Sequence, residues 1–391
     1  MAYGAEMRIL ISHNGYQHRG GEDTVVEAEI LNLRTHGHEV ETYTRDNHDV
    51  ASMSWPSIAY QTVWARKTVD DVSLLIDRFQ PDLIHSHNTF PLISPSLYWA
   101  AWRKRIPVVQ TLHNFRMLCL NAIFLREGGV CESCLGRLPW RGVMYRCYRG
   151  SAMASGALLG SIAIHRAIGT FRDKVTRYIA LNEFCRQKFI AGGLPAERIV
   201  VKPNFVDFPE QPSGQRAGLL FVGRLSREKG IDLLARAWAC SSVSTTLSVA
   251  GSGPEGNLLN GLARVNLLGP LLMEDVRLAM GRASALVLPS IWYENFPRTL
   301  VEAYGSGLPV IASRLGALGE LVEDGVSGLL FNPNDARDLA SKMEWAIGNS
   351  EQLAKMGRNA RAKYESDFTA ERNYAQTIAI YRDAISDVEV R

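Results

Sequence analysis

The sequence has 391 residues, of which 46% are hydrophobic and 21% charged, and its formal net charge is +3. This composition is typical of a globular protein, and the length predicts two domains rather than one core. No run of about 18 apolar residues is free of charge, which argues against a membrane-spanning helix. The N-terminus MAYGAEMRILISHNG lacks a charged-then-apolar leader, so we expect a cytoplasmic protein.

The first half of the chain alternates between predicted strands and helices. RILIS is a short apolar strand, HNGYQHRGGED a glycine-bearing loop, and Val26, Ile30 and Leu33 recur at helical spacing before Gly37. EVETYT, LIHSHN, VVQTLHN and YIALN are further apolar runs. Parallel strands deliver their carboxyl ends to one edge of a sheet, where ligands bind, so the polar residues at these ends are site candidates. They are His87, Asn88, His113, Asn114 and Asn182.

Positive charge concentrates in one segment of the first half. Residues 1–203 carry 24 Lys and Arg against 18 Asp and Glu, whereas the remainder carries 19 against 22. Between Arg137 and Arg177, eight cationic side chains face only Asp173, and this stretch includes the apolar SAMASGALLGSIAI. A basic, apolar surface fits an anionic membrane, and the alternative is a buried helix with solvated flanks. Residues 137–177 are therefore a candidate membrane contact.

The second half repeats the strand and helix pattern after VVKPNFVDFPEQPSGQRAG, a predicted linker. Its predicted strands are GLLFVGRL, TLSVAG, VNLLG, SALVLPS and LPVIAS. After Phe368, a helical stripe of Tyr374, Ile378, Tyr381 and Ile385 favours packing back across the domain junction. We expect an N-terminal Rossmann-like domain at 1–203 with a Cys-containing insertion at about 116–150, a second such domain at 204–368, and a C-terminal helix at 369–391.

GSGPEG, residues 251–256, follows a predicted strand with the G-x-G-x-x-G spacing of dinucleotide sites. Pro254 and Gly261 leave little room for the helix that such a site needs. VNLLG also ends without the acidic residue that binds the ribose of NAD, since the next acid is Glu274. An NAD(P)-dependent Rossmann oxidoreductase is therefore the alternative function.

The segment LPSIWYENFPRTLVEAYGSGLPVIAS places two carboxylates beside a predicted helix start. Pro297 suits the first helical position, and the free N–H groups of a helix start favour phosphate. Glu294 and Glu302 would repel that phosphate, so we expect them to meet neutral sugar hydroxyls. In VGRLSREKG, Arg224 and Lys229 are candidates to clamp a diphosphate. The alternative for Arg224 and Glu302 is an internal ion pair.

Several motifs in order resemble one enzyme family. VGRLSREKG, AGSGPE, LLGPL and PSIWYENFPRTLVEAYGSGLPVIAS resemble the donor half of the family 4 retaining glycosyltransferases, and GGEDTVVEAEILNLRTHGHEV and TLHNFRMLC resemble the acceptor half. The resemblance covers most of the chain and implies the α/β GT-B fold, two facing Rossmann-like domains with an interdomain crevice. It implies transfer of a sugar from a nucleotide-diphosphate sugar, UDP- or GDP-linked, to a hydroxyl acceptor in polysaccharide or glycolipid biosynthesis. A non-catalytic nucleotide-sugar-binding protein, a phosphorylase and an epimerase are the alternatives.

The resemblance also implies roles for single residues. Glu302 is expected to bind the ribose hydroxyls and Glu294 the donor sugar. Arg224 and Lys229 are expected to hold the diphosphate, and His113 to lie near the reacting sugar. The other expected donor-binding residues are Gly20, Gly21, Gly251, Leu268, Asn295, Phe296 and Pro297.

Two features of the sequence depart from the family pattern. Asn295, Phe296 and Pro297 stand where relatives often have glycines, and His113 precedes Asn114 where many have an acid. No obvious catalytic base is present there, and the resemblance implies that a leaving-phosphate oxygen receives the acceptor's proton. Cationic side chains stabilise the departing diphosphate, so we expect no metal in catalysis.

Four of the six cysteines fall within 29 residues: Cys119, the C-x2-C pair Cys131 and Cys134, and Cys147. Four thiolates can form a closed tetrahedral zinc site that folds the insertion. A disulfide is disfavoured in a reducing cytoplasm, and ordinary buried thiols are the alternative. The expected partners are a nucleotide-sugar donor and a sugar or lipid-linked sugar acceptor, with no nucleic acid.

Overall fold

The structure, a computed structural model, divides the chain into two compact units. Each unit is built on a parallel sheet of six strands with helices, the α/β architecture expected from the alternating pattern. Residues 209–213 and 215 of the predicted linker lie outside the described residues. The described residues are 6–17, 20–208, 214 and 216–389.

The boundaries of the units differ from a simple division at the linker. The first unit comprises Met1–Ala122, Glu132–Pro203 and Asn373–Arg391, and the second comprises Ile123–Cys131 and Asn204–Arg372. Residues 123–131, which lie inside the predicted insertion of the first domain, therefore belong to the second unit. The reason is apolar packing, because Leu125 packs against the core of the second sheet.

The strands are short, and most have the apolar composition of strands covered on both faces. In chain order they are β1 Arg8–Gly15, β2 Glu39–Asp46, β3 Leu83–Ser86, β4 Val108–Thr111, β5 Leu125–Arg126, β6 Gly129–Val130, β7 Arg177–Ala180, β8 Ile199–Val201, β9 Leu219–Val222, β10 Leu247–Ala250, β11 Val265–Gly269, β12 Ala285–Leu288, β13 Val310–Ser313 and β14 Gly328–Phe331.

The α-helices lie between most of the strands and at the C-terminal end. In chain order they are α1 Gly21–Thr35, α2 Trp55–Val63, α3 Arg66–Phe79, α4 Ser96–Arg103, α5 Arg141–Met144, α6 Ala152–Ala167, α7 Thr170–Asp173, α8 Glu183–Ala191, α9 Ile231–Cys240, α10 Met273–Arg282, α11 Arg298–Gly305, α12 Gly316–Leu321, α13 Ala336–Gly348, α14 Ser350–Asp367 and α15 Ala370–Glu389. Short 3-10 helices span Asn47–Ser52, Ala196–Arg198, Arg227–Lys229 and Gly256–Leu259.

The first sheet has the strand order β2-β1-β3-β4-β7-β8, with all neighbours parallel. The order reverses between β1 and β3, so the crevice outside their carboxyl ends is the expected ligand position of this unit. Ile9 and Ile11 of β1 pack with Val26 of α1 and with Tyr381 of α15. The helical stripe predicted after Phe368 thus packs in the core of the first unit.

The second sheet has the order β11-β10-β9-β12-β13-β14, also with parallel neighbours. Leu219 and Phe221 of β9 contribute to one apolar cluster, and Leu220 contributes to another. This alternation buries both faces of the sheet and explains why its strands are continuous apolar runs. The order reverses between β9 and β12, which places the expected ligand crevice beside their carboxyl ends.

The strands predicted in the two halves are confirmed, although β8, β14 and the antiparallel β5–β6 hairpin were not predicted. After GSGPEG the chain forms the 3-10 helix Gly256–Leu259 instead of an α-helix, as the sequence indicated. The structure therefore does not favour the oxidoreductase alternative. Within the described part of the chain, no helix combines the length and apolarity that crossing a membrane requires.

Candidate active site

The loop after β12 fixes Glu294 through one of its two carboxylate oxygens. Oε1 accepts hydrogen bonds from Lys229 Nζ at 2.7 Å, Ser290 Oγ at 2.8 Å and Trp292 Nε1 at 3.1 Å. The residue is 6% exposed, and among the described residues no hydrogen bond reaches Oε2. Glu294 is therefore held in one orientation with its second oxygen available to a ligand.

Lys229 and Arg224 follow β9, the neighbour of β12, so both loops emerge at the same edge of the second sheet. Lys229 ends a 3-10 helix, and Gly230 follows it at φ 74°. A Cβ on Gly230 would lie 2.0 Å from the carbonyl oxygen of Pro289, so only glycine permits the two loops to approach. Arg224 is exposed. Its charge is accessible to an anionic ligand.

Glu302 lies within α11 and is buried. Burial raises the pKa of this carboxyl group, while the nearby Arg298 and Arg277 lower it, and the net shift is upward. The alternative of an ion pair between Glu302 and Arg224 is wrong, since the cation beside the carboxylate is Arg298, whose Nη2 lies 3.4 Å from Oε1. Glu302 is thus a buried carboxylate with a long, weak partner on its own helix.

Pro297 lies one residue earlier relative to its helix than predicted. It is the N-cap of α11, with extended backbone angles of φ −78° and ψ 92°, and the helix begins at Arg298. Pro297 precedes the helix because a residue with this ψ angle lies outside the helical range and cannot belong to the first turn. Asn295 is buried, and the Phe296 ring lies 6.1 Å from that of Phe368. The segment ahead of the helix is therefore packed rather than open.

Gly251 follows β10 directly with φ 141°, and a Cβ there would lie 1.9 Å from the carbonyl oxygen of Gly223. A Cβ on Gly253 would similarly meet the carbonyl oxygen of Leu225 at 2.3 Å. These glycines are thus needed for the close approach of two backbones. Leu268, another residue expected to bind the donor, lies half-buried on the edge strand β11.

In the first unit, the ends of β3 and β4 bring two predicted site histidines together. His113 Nε2 lies 2.8 Å from His87 Nδ1, and His87 Nε2 lies 3.9 Å from Glu29 Oε2. Burial lowers the pKa of His113 to about 3 and that of His87 well below its usual value. His113 is therefore neutral at physiological pH and serves as a hydrogen-bonding group rather than a cation.

A buried ion pair lies beneath these histidines. Lys202 Nζ is 3.2 Å from Glu29 Oε1, and the two residues are 1% and 3% exposed. Burial raises the pKa of Glu29, but Lys202 and His87 outweigh it and bring the net value below the usual range. Glu29, His85 and His87 present ligand atoms within 4.8 Å of one another, but the Lys202 ammonium already neutralises the carboxylate, so we assign no metal here.

Sequence reasoning missed Glu29, His85 and Lys202. The position of Glu29 in the sequence could have identified it, because this residue lies three residues after Val26 on the apolar stripe of α1. A carboxylate on a core-facing stripe requires a buried partner. Lys202 supplies it, and Thr377 of α15 accepts a hydrogen bond from the same ammonium at 3.2 Å.

Gly20 and Gly21 lie at the start of α1, and residues 18–19 just before them are outside the described residues. The Gly20 N–H donates to Asp23 Oδ2 at 2.8 Å, and Asp23 Oδ1 lies 2.8 Å from His13 Nε2. Gly20 has extended backbone angles, φ −120° and ψ −179°, which any residue adopts. A requirement for glycine here would thus come from a ligand or neighbour, not from the local backbone.

The three asparagines predicted at the strand ends make different kinds of contact. Asn182 caps α8 by accepting from the Cys185 N–H at 2.8 Å. Asn88 donates to the Asn14 carbonyl at 2.9 Å, and Asn114 Oδ1 accepts from the Arg116 N–H at 3.1 Å. The structure thus joins His87 with His113, whereas Asn182 caps a helix, Asn114 stabilises a turn, and Asn88 links the segment after β3 to the end of β1.

The four candidate zinc ligands differ in location. Cys119 is buried, and its Sγ lies 2.9 Å from Asn121 Oδ1, whereas Cys131, Cys134 and Cys147 are half-buried. Cys131 belongs to the second unit and the other three to the first. Zinc binding stays a prediction.

Comparison with known sequences identifies relatives over most of the chain. Glycogen synthase of Mycobacterium tuberculosis is 27% identical over 321 residues, which are 78% of this chain and 69% of that protein. A D-inositol 3-phosphate glycosyltransferase of Mycobacterium marinum is 29% identical over 322 residues, 78% of this chain and 64% of that protein.

Solved structures share the fold at low sequence identity. Sucrose-phosphate synthase from Thermosynechococcus elongatus has a TM-score of 0.71 at 20% identity and covers 98% of this chain and 100% of its own. Anabaena Alr3699/HepE in complex with UDP-glucose has a TM-score of 0.64 at 19% identity and covers 99% and 100%. These likenesses confirm the expected two-domain GT-B fold.

Two family matches account for both halves of the sequence. Residues 19–209 match the family described as Glycosyltransferase Family 4, and residues 216–349 match the one described as Glycosyl transferases group 1. Both matches describe glycosyltransferases, together they span most of the chain, and they agree with the motifs of the sequence and with the fold. The chain belongs to the family 4 glycosyltransferases.

Proposed function

We propose that the chain transfers a glycosyl group from a UDP-sugar to an acceptor hydroxyl, with retention of anomeric configuration and without a catalytic metal. The observation that carries this proposal is Glu294, fixed through Oε1 beside Lys229 with Oε2 available. A carboxylate and a cation held together match the neutral hydroxyls and the charged diphosphate of one nucleotide sugar. UDP is favoured as the carrier because related structures contain UDP and UDP-glucose.

The charges that develop on the donor during the reaction predict the roles of the donor-site residues. Cleavage of the sugar–phosphate bond creates oxocarbenium character on the sugar and negative charge on the diphosphate. Lys229, Arg224 and the N–H groups at the start of α11 would stabilise the departing diphosphate. Glu294 Oε2 would accept from a sugar hydroxyl, and Glu302 from the ribose hydroxyls. These side chains supply the positive charge that a metal would otherwise provide.

The proton of the acceptor is expected to leave with the diphosphate. The acceptor oxygen bonds to the anomeric carbon, the bond from that carbon to phosphate oxygen breaks, and the proton passes to an oxygen of the departing phosphate. His113 is a poor proton acceptor because burial lowers its pKa to about 3. A neutral His113, held by His87, instead orients the reacting sugar through a hydrogen bond.

The first experiment measures thermal shift and slow donor hydrolysis with UDP-, GDP- and ADP-sugars in EDTA, with NAD as a control. We expect stabilisation and turnover by a UDP-sugar, and an acceptor screen with NMR of the product then gives its anomeric configuration. Stabilisation by NAD alone would overturn the function. Inactivity in EDTA with recovery on adding a divalent metal would overturn metal independence, and an inverted product would overturn retention.

We also propose that residues 137–177 contact an anionic membrane surface, which fits a glycolipid acceptor. Met144 and Met153 are 64% and 63% exposed, among basic side chains that attract anionic lipid. The exposed large apolar side chains of the segment are Leu138, Trp140, Met144, Tyr145, Met153, Ile164 and Ile168.

Vesicle sedimentation tests this membrane contact. We expect binding to anionic but not zwitterionic vesicles, loss at high salt, and weaker binding after Met144→Ser with Met153→Ser. Leu272→Ser, at a residue that is 78% exposed in the second unit, is the matched control. Equal binding by the double variant and the wild type would contradict the proposal.

We retain zinc at Cys119, Cys131, Cys134 and Cys147 as a structural proposal, because four cysteines within 29 residues match the ligand number of a closed site. Metal analysis of the purified protein tests it. We expect about one zinc per chain, lost together with thermal stability after Cys134→Ser. Protein that is folded and free of zinc would contradict it.

A further inference from the structure

The first unit contains a cavity of about 360 Å³ whose walls combine aromatic, aliphatic and cationic side chains. The helices α2 and α6 line it, together with the chain segments before these helices and after β3. None of the donor-site residues of the second unit belongs to its lining. The side chains that matter for its ligand are Trp55, Ile58, Phe90, Arg116, Tyr148 and Arg149.

Two guanidinium groups of this lining have no carboxylate partner. Among the described residues, neither Arg116 nor Arg149 has an Asp or Glu oxygen within 4.0 Å. Arg116 lies over the rings of Phe90 and Tyr148, 4.8 and 5.3 Å from their centroids, and Arg149 lies 5.6 Å from that of Tyr148. Aromatic stacking thus orients both cations without neutralising them.

The arrangement around Arg116 leaves donor capacity for a ligand. Its Nη1 donates to the Leu120 carbonyl at 3.3 Å, which holds one side of the guanidinium group in place. Glu22 influences this charge from a greater distance, but it accepts from the Tyr16 hydroxyl at 2.7 Å and burial raises its pKa. The cavity therefore has a net positive wall that suits an oxyanion.

The apolar part of the lining sets a second requirement for the ligand. Trp55 and Ile58 of α2 and Leu158 of α6 offer carbon surface to whatever occupies the cavity. Burial of apolar ligand surface against them is favourable by about 25 cal/mol per Å². An inorganic anion would bind the arginines but leave this apolar surface in contact with water. The complementary ligand therefore carries an anionic group and an apolar group side by side.

We propose that this cavity binds the acceptor through a phosphate ester, with Arg116 and Arg149 on the phosphate and Trp55, Ile58 and Leu158 on its organic substituent. This inference rests on the proposed function, since it names the chemical class of the acceptor. A lipid phosphate and a sugar phosphate share the recognised group. The apolar wall favours the lipid source.

The test measures binding of inorganic phosphate, a hexose phosphate, hexyl phosphate and the neutral hexyl glucoside by calorimetry. Saturating UDP is present throughout to occupy the proposed diphosphate site, so that binding of the phosphate probes to that site is not measured. We expect hexyl phosphate to bind at least about tenfold more tightly than inorganic phosphate and than hexyl glucoside, since it alone of these three offers both a charged group to the arginines and an alkyl chain to the apolar wall. Preference for the hexose phosphate over hexyl phosphate would support the cavity with a sugar phosphate as its source.

Variants assign the binding to this cavity. Arg116→Gln and Arg149→Gln should each weaken hexyl phosphate binding about tenfold, and Arg149 is exposed, so its replacement leaves the buried core unchanged. Arg146→Gln, an exposed arginine of the same segment outside the lining, is the control and should bind as the wild type does. Equal binding of all four probes, or wild-type binding by both lining variants, would overturn the inference.

Donor binding separates this inference from the proposed function. A wild-type protein that is stabilised by a UDP-sugar but binds phosphate esters no better than phosphate refutes the cavity assignment alone. A protein without stabilisation by any sugar nucleotide refutes the proposed function, whatever the cavity binds.

Discussion

The Lys229 ammonium lies 2.7 Å from Oε1 of Glu294, so the cation expected on the diphosphate and the carboxylate expected on the sugar form one ion pair. The pair is partly enclosed, with side-chain exposures of 29% and 8%. Each group therefore sets the position of the other before a donor binds. Preorganised charge of this kind stabilises a transition state without reorganisation during the reaction.

A double-mutant cycle tests this coupling. We expect Lys229→Met and Glu294→Gln each to lower kcat by about 100-fold, the usual cost of losing one preorganised charge. The double variant should lose far less than the product of the two effects, because each single change already disrupts the pair. Lys363→Met removes an exposed pair with Glu323, 3.0 Å apart, and should leave kcat unchanged. Strictly multiplicative losses would contradict the coupling.

Replacing Glu302 is expected to weaken ligand binding without lowering the stability of the fold. Its pKa is raised in the folded state, so the protonated form favours folding, and this contribution is lost as pH rises through the folded-state pKa. Near neutral pH, Glu302→Gln should therefore keep or increase the free energy of unfolding while weakening UDP binding about tenfold. Urea unfolding and UDP calorimetry measure the two effects. Glu274→Gln, at an exposed position, is the control. Undiminished UDP affinity would remove Glu302 from the donor site.

Gly251→Ala should destabilise the second unit. The added Cβ would lie 1.9 Å from the Gly223 carbonyl oxygen, and the φ of 141° is unfavourable for alanine. Two backbones must separate to admit it, so we expect the free energy of unfolding to fall by about 2 kcal/mol or more. Gly129→Ala, where no atom lies within 4 Å of the added Cβ, is the control. Urea unfolding measures both, and equal midpoints would show that the loops separate at little cost.

Most of the strands and the two-unit arrangement were predictable because most strands are continuous apolar runs ended by polar residues, as a sheet buried on both faces requires. The donor-side candidates were predictable for a related reason, since β9 and β12 are neighbours and their loops share one edge. The sequence alone also identified His87 and His113, which follow adjacent strands.

Other features depend on long-range contacts that no local pattern contains. Leu125 lies in a two-residue strand, and only its packing against the second core assigns it to that unit. Lys202 and Glu29 are 173 positions apart, so their pairing was invisible in the sequence. Gly251 is expected from the family resemblance to bind the donor, whereas the structure adds a backbone reason for this glycine, its close approach to the Gly223 carbonyl oxygen, that the local sequence does not contain.

The buried histidines predict a loss of stability in acid. Burial lowers the pKa of His85, His87 and His113, whereas in the unfolded chain each titrates near pH 6.5. Below about pH 6.5 the unfolded state binds more protons, so stability is present above that pH and falls as pH decreases, by about 1.4 kcal/mol per pH unit for each histidine. Urea unfolding from about pH 7.5 to about pH 5.5 measures this slope.

One variant and its control assign the acid slope to these side chains. His113→Gln removes one titrating group, so its slope below about pH 6.5 should be shallower than that of the wild type by about 1.4 kcal/mol per pH unit. His48→Gln changes a histidine whose side chain is 67% exposed and should leave the slope unchanged. Because His113 stays neutral across this range, kcat/KM should show no inflection from its ionisation. Identical acid slopes for wild type and His113→Gln would mean that His113 is protonated in the folded protein, and its role as a neutral hydrogen-bonding group would then be wrong.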